Sequence, residues 1–440
     1  MNKVKDILSK VLEALKPFKT AIIILLAALF FMIILGVIVP AIQKATSSKE
    51  PIIGIEATND NKYKSSQELS LDDFSIVAKH KDGKKTQLSS EDVTISNTSL
   101  APIGDTTNVT LYLKENPEIS CDVEVKIKRE KVIGFQCGYP IVTDVIAVLY
   151  SNGELCFEGE GDVLVFGQGN YPWLNYDESD SFPIYAISFQ KGVTPSNMNY
   201  WFEGLETLTY VEPIPSSVRT MVGTFEGCSS LTATADWSNT SSLLNINNTY
   251  KNCESLKETF PIPERVRTAQ ETFSGCSSLQ FTADTSNSKS LVSTKYMYRD
   301  CNMLISAKIG ESVTDMTGMF ENCINLKLMP TIPPTVEIMD DAFVGNISLT
   351  SMTEIPISVK SMNSCFANCE MLTGELVINA NALEFGGMFD NAAIATKVNL
   401  IGGSALLDAY GNTSTSGNIL VNGRTPNASI KEYEDVFGDK

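Results

Sequence analysis

The sequence predicts a mainly β chain in which a solenoid of about 23 residues per turn is preceded by an antiparallel β-sandwich and one transmembrane helix. Three observations carry this fold class. Residues 20–39 form an uncharged apolar run, residues 52–131 alternate in short strand-like stretches, and from residue 202 one motif returns at a near-constant period.

The chain opens with an amphipathic segment, residues 1–19, in which Val4, Ile7, Leu8, Val11, Leu12 and Leu15 recur at helical spacing beside a lysine-rich face. Such a helix rests at a membrane interface without a partner, and docking to a cytoplasmic protein is the alternative. Next comes the apolar run. At about 1.5 Å rise per residue, roughly twenty such residues cross the hydrocarbon core of a bilayer. Lys3, Lys5, Lys10, Lys16 and Lys19 outnumber Asp6 and Glu13 ahead of it, so the N-terminus is expected in the cytoplasm and the rest of the chain outside. The span, residues 20–40, exceeds a usual signal core, which favours a retained signal-anchor. The small residues of Val39-Pro40-Ala41 leave cleavage after Ala41, and hence secretion, as the alternative. A polar linker, residues 41–51, leads outward.

Composition allows several folded modules beyond it. Of 440 residues, 43% are hydrophobic and 20% charged, and the length suits about three domains of roughly 150 residues. The formal net charge of −18 removes the basic surface that nucleic-acid binding requires. A single histidine, His80, removes most imidazole-based catalysis and metal ligation. It lies in Lys79-His80-Lys81-Asp82-Gly83-Lys84, where Asp-Gly marks a tight hairpin, so His80 is expected to be exposed at the turn.

Between residues 52 and 131, the runs Ile52–Ile55, Phe74–Ala78, Val93–Ile95, Val109–Leu113 and Cys121–Ile127 are separated by turn signals, the pattern of an antiparallel sandwich. Leu71-Asp72-Asp73-Phe74, Asp82-Gly83-Lys84 and Val123-x-Val125-x-Ile127 resemble elements of bacterial immunoglobulin-like domains. The resemblance implies a spacer or adhesive module at a cell surface, and a stalk is the simpler role.

The repeated motif is an aromatic residue, Cys three positions on and Leu three positions further: Phe225/Cys228/Leu231, Tyr250/Cys253/Leu256, Phe273/Cys276/Leu279, Tyr298/Cys301/Leu304, Phe320/Cys323/Leu326, Phe343/Asn346/Leu349 and Phe366/Cys369/Leu372. Partial copies sit at Phe202 and Phe389, and successive aromatics are 22 to 25 residues apart. Upstream, Ile214-Pro215-x-x-Val218-x-x-Met221 recurs as Ile332-Pro333-x-x-Val336-x-x-Met339 and Ile355-Pro356-x-x-Val359-x-x-Met362. A unit this short cannot bury its own apolar residues, so stacked turns must place them in continuous columns. The motif resembles BspA-like leucine-rich-repeat surface proteins of bacteria, and the likeness reaches back to Asn152-Gly153-Glu154 and Pro172-Trp173. The expected organisation is an immunoglobulin-like domain at 52–131, a β-rich cap at 132–200, leucine-rich repeats at 201–415 and a C-terminal cap and tail at 416–440.

Cys228, Cys253, Cys276, Cys301, Cys323 and Cys369 share one column with Asn346. Neither a disulfide ladder nor a metal site accepts Asn in one copy, so this is expected to be a structural ladder of small polar groups meeting turn backbone. No cofactor or metal is expected. Cys365 is expected as core filler, and Cys137 with Cys156 could bridge near the cap. Asp177-Glu178-x-Asp180 lacks the spacing of a calcium loop, and sequons such as Asn108, Asn239 and Asn427 fit Asn-rich turns.

No phosphate loop, metal spacing or nucleophile motif points to an enzyme. The resemblance implies a non-catalytic adhesin that recognises an extracellular protein or glycan. The alternative is a structural or assembly component of the envelope or of a secretion or conjugation apparatus. The second residue after each Leu should form an outward row of Tyr210, Ala233, Glu258, Phe281, Ser306, Leu328, Ser351 and Gly374, with Tyr210, Phe281 and Leu328 as candidate ligand contacts.

Overall fold

The computed structural model describes residues 50–63, 69–96, 103–104, 106–176, 183–379, 384, 386–391, 397–402 and 419–421. The amphipathic segment, the 20–39 run, the Asp177 cluster and Asn427 lie outside these residues. Among the described residues no helix is long and apolar enough to cross a membrane. Two compact units divide the chain, with the second beginning its main run at Ile127.

The first unit is built from β1 (Ile52–Thr58), β2 (Lys62–Tyr63), β3 (Ser75–His80), β4 (Lys85–Leu88), β5 (Val93–Ile95), β6 (Thr106–Leu113) and β7 (Asn116–Ile127). These strands make two sheets, ordered β1-β3-β4 and β2-β7-β6-β5, whose pairings are antiparallel wherever a register is defined. Alternation along the strands sends Ile55 and Ile76 from one sheet, and Val93, Val109, Leu111, Val123 and Val125 from the other, into one shared core. The unit is therefore a two-sheet sandwich. The hairpin between β3 and β4 turns at Gly83, whose φ of 81° suits a residue without Cβ.

His80 is not exposed at that turn, contrary to the expectation. It ends β3 before the hairpin, is buried, and its ring nitrogens lie 2.7 Å from the Glu50 carbonyl and 2.7 Å from the Thr86 hydroxyl. The reason is β1, which pairs with β3 at Ile52–His80 and brings the preceding backbone over the ring. Hairpin chemistry alone contains no information about that third strand.

The second unit starts with β8 (Lys131–Gln136), β9 (Gly138–Tyr139), β10 (Val145–Tyr150), β11 (Glu154–Gly159), β12 (Asp162–Val163), β13 (Ala186–Phe189) and β14 (Tyr210–Val211). One sheet runs β14-β13-β11-β10-β8. Its β8-β10-β11 part is antiparallel, whereas β11-β13-β14 is parallel. A meander thus closes the edge that the first turn of a parallel solenoid would leave open to another strand. Phe157 anchors this cap, with ring centroids 5.1 Å from Trp173 and 5.0 Å from Trp201. Cys137 and Cys156 are both free and belong to different apolar clusters, so the bridge considered between them is not formed.

From there the chain winds in parallel turns. Backbone bridges link Asn197, Thr220, Asn245, Thr268, Ser293, Asp315, Ile338, Ser361 and Glu384 in one unbroken ladder. A second ladder, on the segment after each Leu, joins Ala233 to Glu258, Phe281 to Ser306 and Leu328 to Ser351. Between the ladders the interior is stacked in columns. Phe202, Phe225, Tyr250, Phe273, Tyr298, Phe320, Phe343, Phe366 and Phe389 form one continuous aromatic pile, with centroids 5.2 to 6.0 Å apart and planes within 22° of parallel. β15 (Thr373–Ile378), β16 (Lys397–Gly402) and β17 (Ile419–Val421) continue as a parallel sheet.

Tight winding needs left-handed backbone, and the sequence supplies it. Gly227, Asn252, Gly275, Asp300, Asn322, Gly345 and Asn368, each directly before the Cys/Asn column, have φ between 57° and 77°. Gly, Asn and Asp are the residues that visit this region at least cost.

Candidate functional site

The outward row is built by the second ladder. Its backbone is held turn to turn by bonds such as Lys257 N–H to Thr232 O at 2.8 Å and Ile305 N–H to Gln280 O at 3.0 Å. Each Leu is buried in the interior, and the chain turns after it so that the residue two positions on, at the bridge, is exposed or half-buried. Tyr210 is 43% exposed, Phe281 57% and Leu328 64%, while Ala233 and Ser351 are half-buried.

The structure adds residues that the row missed. Ile305, next to Ser306, is 50% exposed, and Phe260 is 38% exposed. Phe281, Ile305 and Leu328 occupy three successive turns and form the apolar centre of this face; Tyr210 lies further along toward the cap. Lys257, Lys308 and Lys327 border it and are exposed. Burial, together with the nearby Glu212 charge, raises the Tyr210 phenol above its ordinary pKa, so it stays neutral and can donate. A cleft of about 180 Å³ near the cap, lined by Phe189, Lys191, Pro213 and Pro215, is too small and open for a drug-sized ligand.

Residues 183–302, 244–373 and 293–401 match the family described as BspA type leucine rich repeat region, in six copies. The repeats are thus similar to the BspA type over residues 183–401. No curated protein matches the chain. Solved structures similar to it include a leucine-rich repeat protein from Eubacterium ventriosum, at 15% identity and TM-score 0.30, covering 62% of this chain and 79% of that one. A leucine-rich repeat protein from Bacteroides ovatus is 13% identical with TM-score 0.28, covering 66% and 98%. A leucine rich cell surface protein from Faecalibacterium prausnitzii is 16% identical with TM-score 0.22, covering 66% and 99%.

Within the turns the cysteine column has one repeated bond. The Sγ of Cys228, Cys253, Cys276, Cys301, Cys323 and Cys369 each donates to the carbonyl of the aromatic residue one turn earlier, at 3.1 to 3.2 Å. Burial pushes these thiols well above their ordinary pKa, to about 12 at Cys369, which keeps the proton that the bond needs. Cys365 is fully buried filler. Asn346 departs from the expectation that it would meet turn backbone. It is fully buried, and neither amide atom has a hydrogen-bond partner. The slot offers one carbonyl to a single donor, and a planar amide brings two N–H groups and an acceptor.

Three outcomes follow for this column. Alkylation of unreduced protein, read by mass spectrometry, should label the six cysteines only after unfolding; disulfides between adjacent turns would refute the thiol ladder. Asn346→Cys is expected to stabilise the fold by about 1–3 kcal/mol, by replacing unsatisfied buried groups with a satisfied one. Asparagine at Cys276 should cost a similar amount and leucine more, because bulk also strains the column.

Proposed function

We propose that this is a cell-surface binding protein, an adhesin, whose repeats recognise an extracellular protein or glycan through the second-ladder face. The reading places residues 20–39 in the membrane with the N-terminus cytoplasmic, and treats the sandwich as an immunoglobulin-like stalk. The observation that carries it is the outward row itself: large apolar side chains on turns that backbone bridges join in pairs, with exposed lysines beside them. Exposed apolar groups rimmed by polar ones are the usual composition of a partner contact. Regular stacking makes such a face continuous and lets it address an extended surface. The match of residues 183–401 to BspA-type repeats supports a binding scaffold in place of an enclosed catalytic pocket.

The test is binding of the purified chain to extracellular-matrix proteins, glycan arrays and isolated cell wall. Replacing Tyr210, Phe281 and Leu328 together by Ser should change stability by less than about 0.5 kcal/mol per site, as for exposed positions, while abolishing binding. A large stability loss with binding retained at low temperature would assign these side chains to packing. Binding to cell wall alone would favour a structural component of the envelope.

A further inference from the structure

Three of the six arginines, Arg219, Arg265 and Arg267, lie on a different face, the first ladder, just outside the buried valine column. Backbone bonds fix their order: Leu244 N–H donates to Arg219 O at 2.9 Å, Arg267 N–H to Leu244 O at 2.9 Å, and Val292 N–H to Arg267 O at 3.0 Å. The exposed row along the ladder therefore reads Arg219, Leu244, Arg267, Val292, with Leu244 40% and Val292 45% exposed. Val266 is buried, while Arg267, just before the Thr268 bridge, and Arg265, in the turn ahead of it, are both exposed. Elsewhere Arg129 and Arg299 are ion-paired, with Glu154 and Glu271, whereas none of these three has a carboxylate partner among the described residues. An unpaired guanidinium cluster in a chain of net charge −18 is a local reversal of sign.

We propose that this row binds a linear polyanionic glycan bearing carboxylate or sulfate groups, at a site separate from the apolar face. Guanidinium forks match the planar geometry of carboxylate and sulfate oxygens in bidentate fashion. Spacing selects the polymer. Arg219 and Arg267 are two ladder steps of about 4.8 Å apart, which is the length of a disaccharide repeat in an extended uronate-containing glycan. An extended acidic peptide presents side chains on one face every two residues, about 6.4–6.8 Å, and falls out of step. Leu244, between the arginines, offers an apolar surface to the C–H face of the sugar ring that separates two charges.

The test uses the full chain in non-ionic detergent, titrated with hyaluronan and heparin oligosaccharides and with poly-L-glutamate of matched charge. Both glycans, or heparin alone where sulfate is required, should bind more tightly than poly-L-glutamate by about tenfold. Arg219→Ser with Arg267→Ser should weaken glycan binding by about tenfold or more with an unchanged melting curve. Lysine at both positions should restore part of it, and Leu244→Ser should lower affinity severalfold. The Tyr210, Phe281 and Leu328 triple variant should bind the glycan normally, so that failure of one face is distinguishable from failure of the other. Equal binding of poly-L-glutamate, glycan binding indifferent to the arginine substitutions, or no binding to either glycan would overturn the proposal.

Discussion

Phe273→Ala is expected to cost about 3–5 kcal/mol, the usual range for deleting a buried aromatic side chain. The ring is fully buried between Tyr250, 6.0 Å away and 5° from parallel, and Tyr298, 5.5 Å away and 12° from parallel. Truncation removes two stacking contacts, worth about 0.5–1.5 kcal/mol each beyond area burial. It also leaves a gap that neighbouring turns, each pinned by its own backbone bonds, cannot collapse to fill. Because each turn of a solenoid touches only its neighbours, the loss should be local. Hydrogen exchange should show protection falling first in residues 250–300, while β8, β10 and β11 remain protected. Phe281→Ala, eight residues along but 57% exposed, is the control and should cost no more than about 0.5 kcal/mol. A loss below about 1 kcal/mol at Phe273, or one spread evenly along the unit, would mean that the aromatic pile is not the element coupling the turns.

That pile was readable from the sequence because a solenoid converts spacing into position: residues one period apart must lie one above the other. The Leu column followed from the same step, and the strand stretches of the sandwich from simple alternation. What escaped lies where one turn differs from another. Tyr replaces Phe at 250 and 298, and in both cases the preceding aromatic is 25 residues away. The structure explains the pairing: the longer turn brings a backbone N–H, of Ala235 or Ala283, to the phenol oxygen at 2.9 and 3.0 Å. The matching stretches Thr234-Ala235-Asp236 and Thr282-Ala283-Asp284 carried the signal. His80 and Asn346 escaped for another reason. Burial of the first depends on a strand some thirty residues away, and the unmet amide of the second on the geometry of a slot shaped for thiols. The arginine row was also hidden, because the period emphasises columns that agree, and this row is made of a position that varies.

Arg129→Ala should be the other large loss, about 3–5 kcal/mol, because it strands a buried charge. Glu154 begins β11 with its side chain only 2% exposed, and its carboxylate accepts from Arg129 Nε at 2.8 Å and from the Ser188 hydroxyl at 2.5 Å. Arg129 lies 3.5 Å over the Tyr150 ring, so the guanidinium is fixed from a second side. The pair ties the chain just before β8 to β11 and β13, the strands where the antiparallel cap becomes the parallel ladder. Removing the cation leaves a buried carboxylate with neutral donors alone, the Ser188 hydroxyl, the Gly104 N–H at 2.9 Å and the Asn152 amide, and no opposite charge. Arg129→Met together with Glu154→Gln should recover most of the loss, since the neutral amide still accepts from Ser188 and no charge remains buried. Lys360→Ala provides the contrast. Its bond to Glu337 is as short, 2.7 Å, but the side chains are 67% and 48% exposed. Screening by water holds such a pair to about 0–1 kcal/mol. Denaturant melts of the three variants, read with hydrogen exchange at β8, β11 and β13, decide the matter. If Arg129→Ala is no worse than Lys360→Ala, the cap is held by its aromatic cluster and the ion pair is incidental.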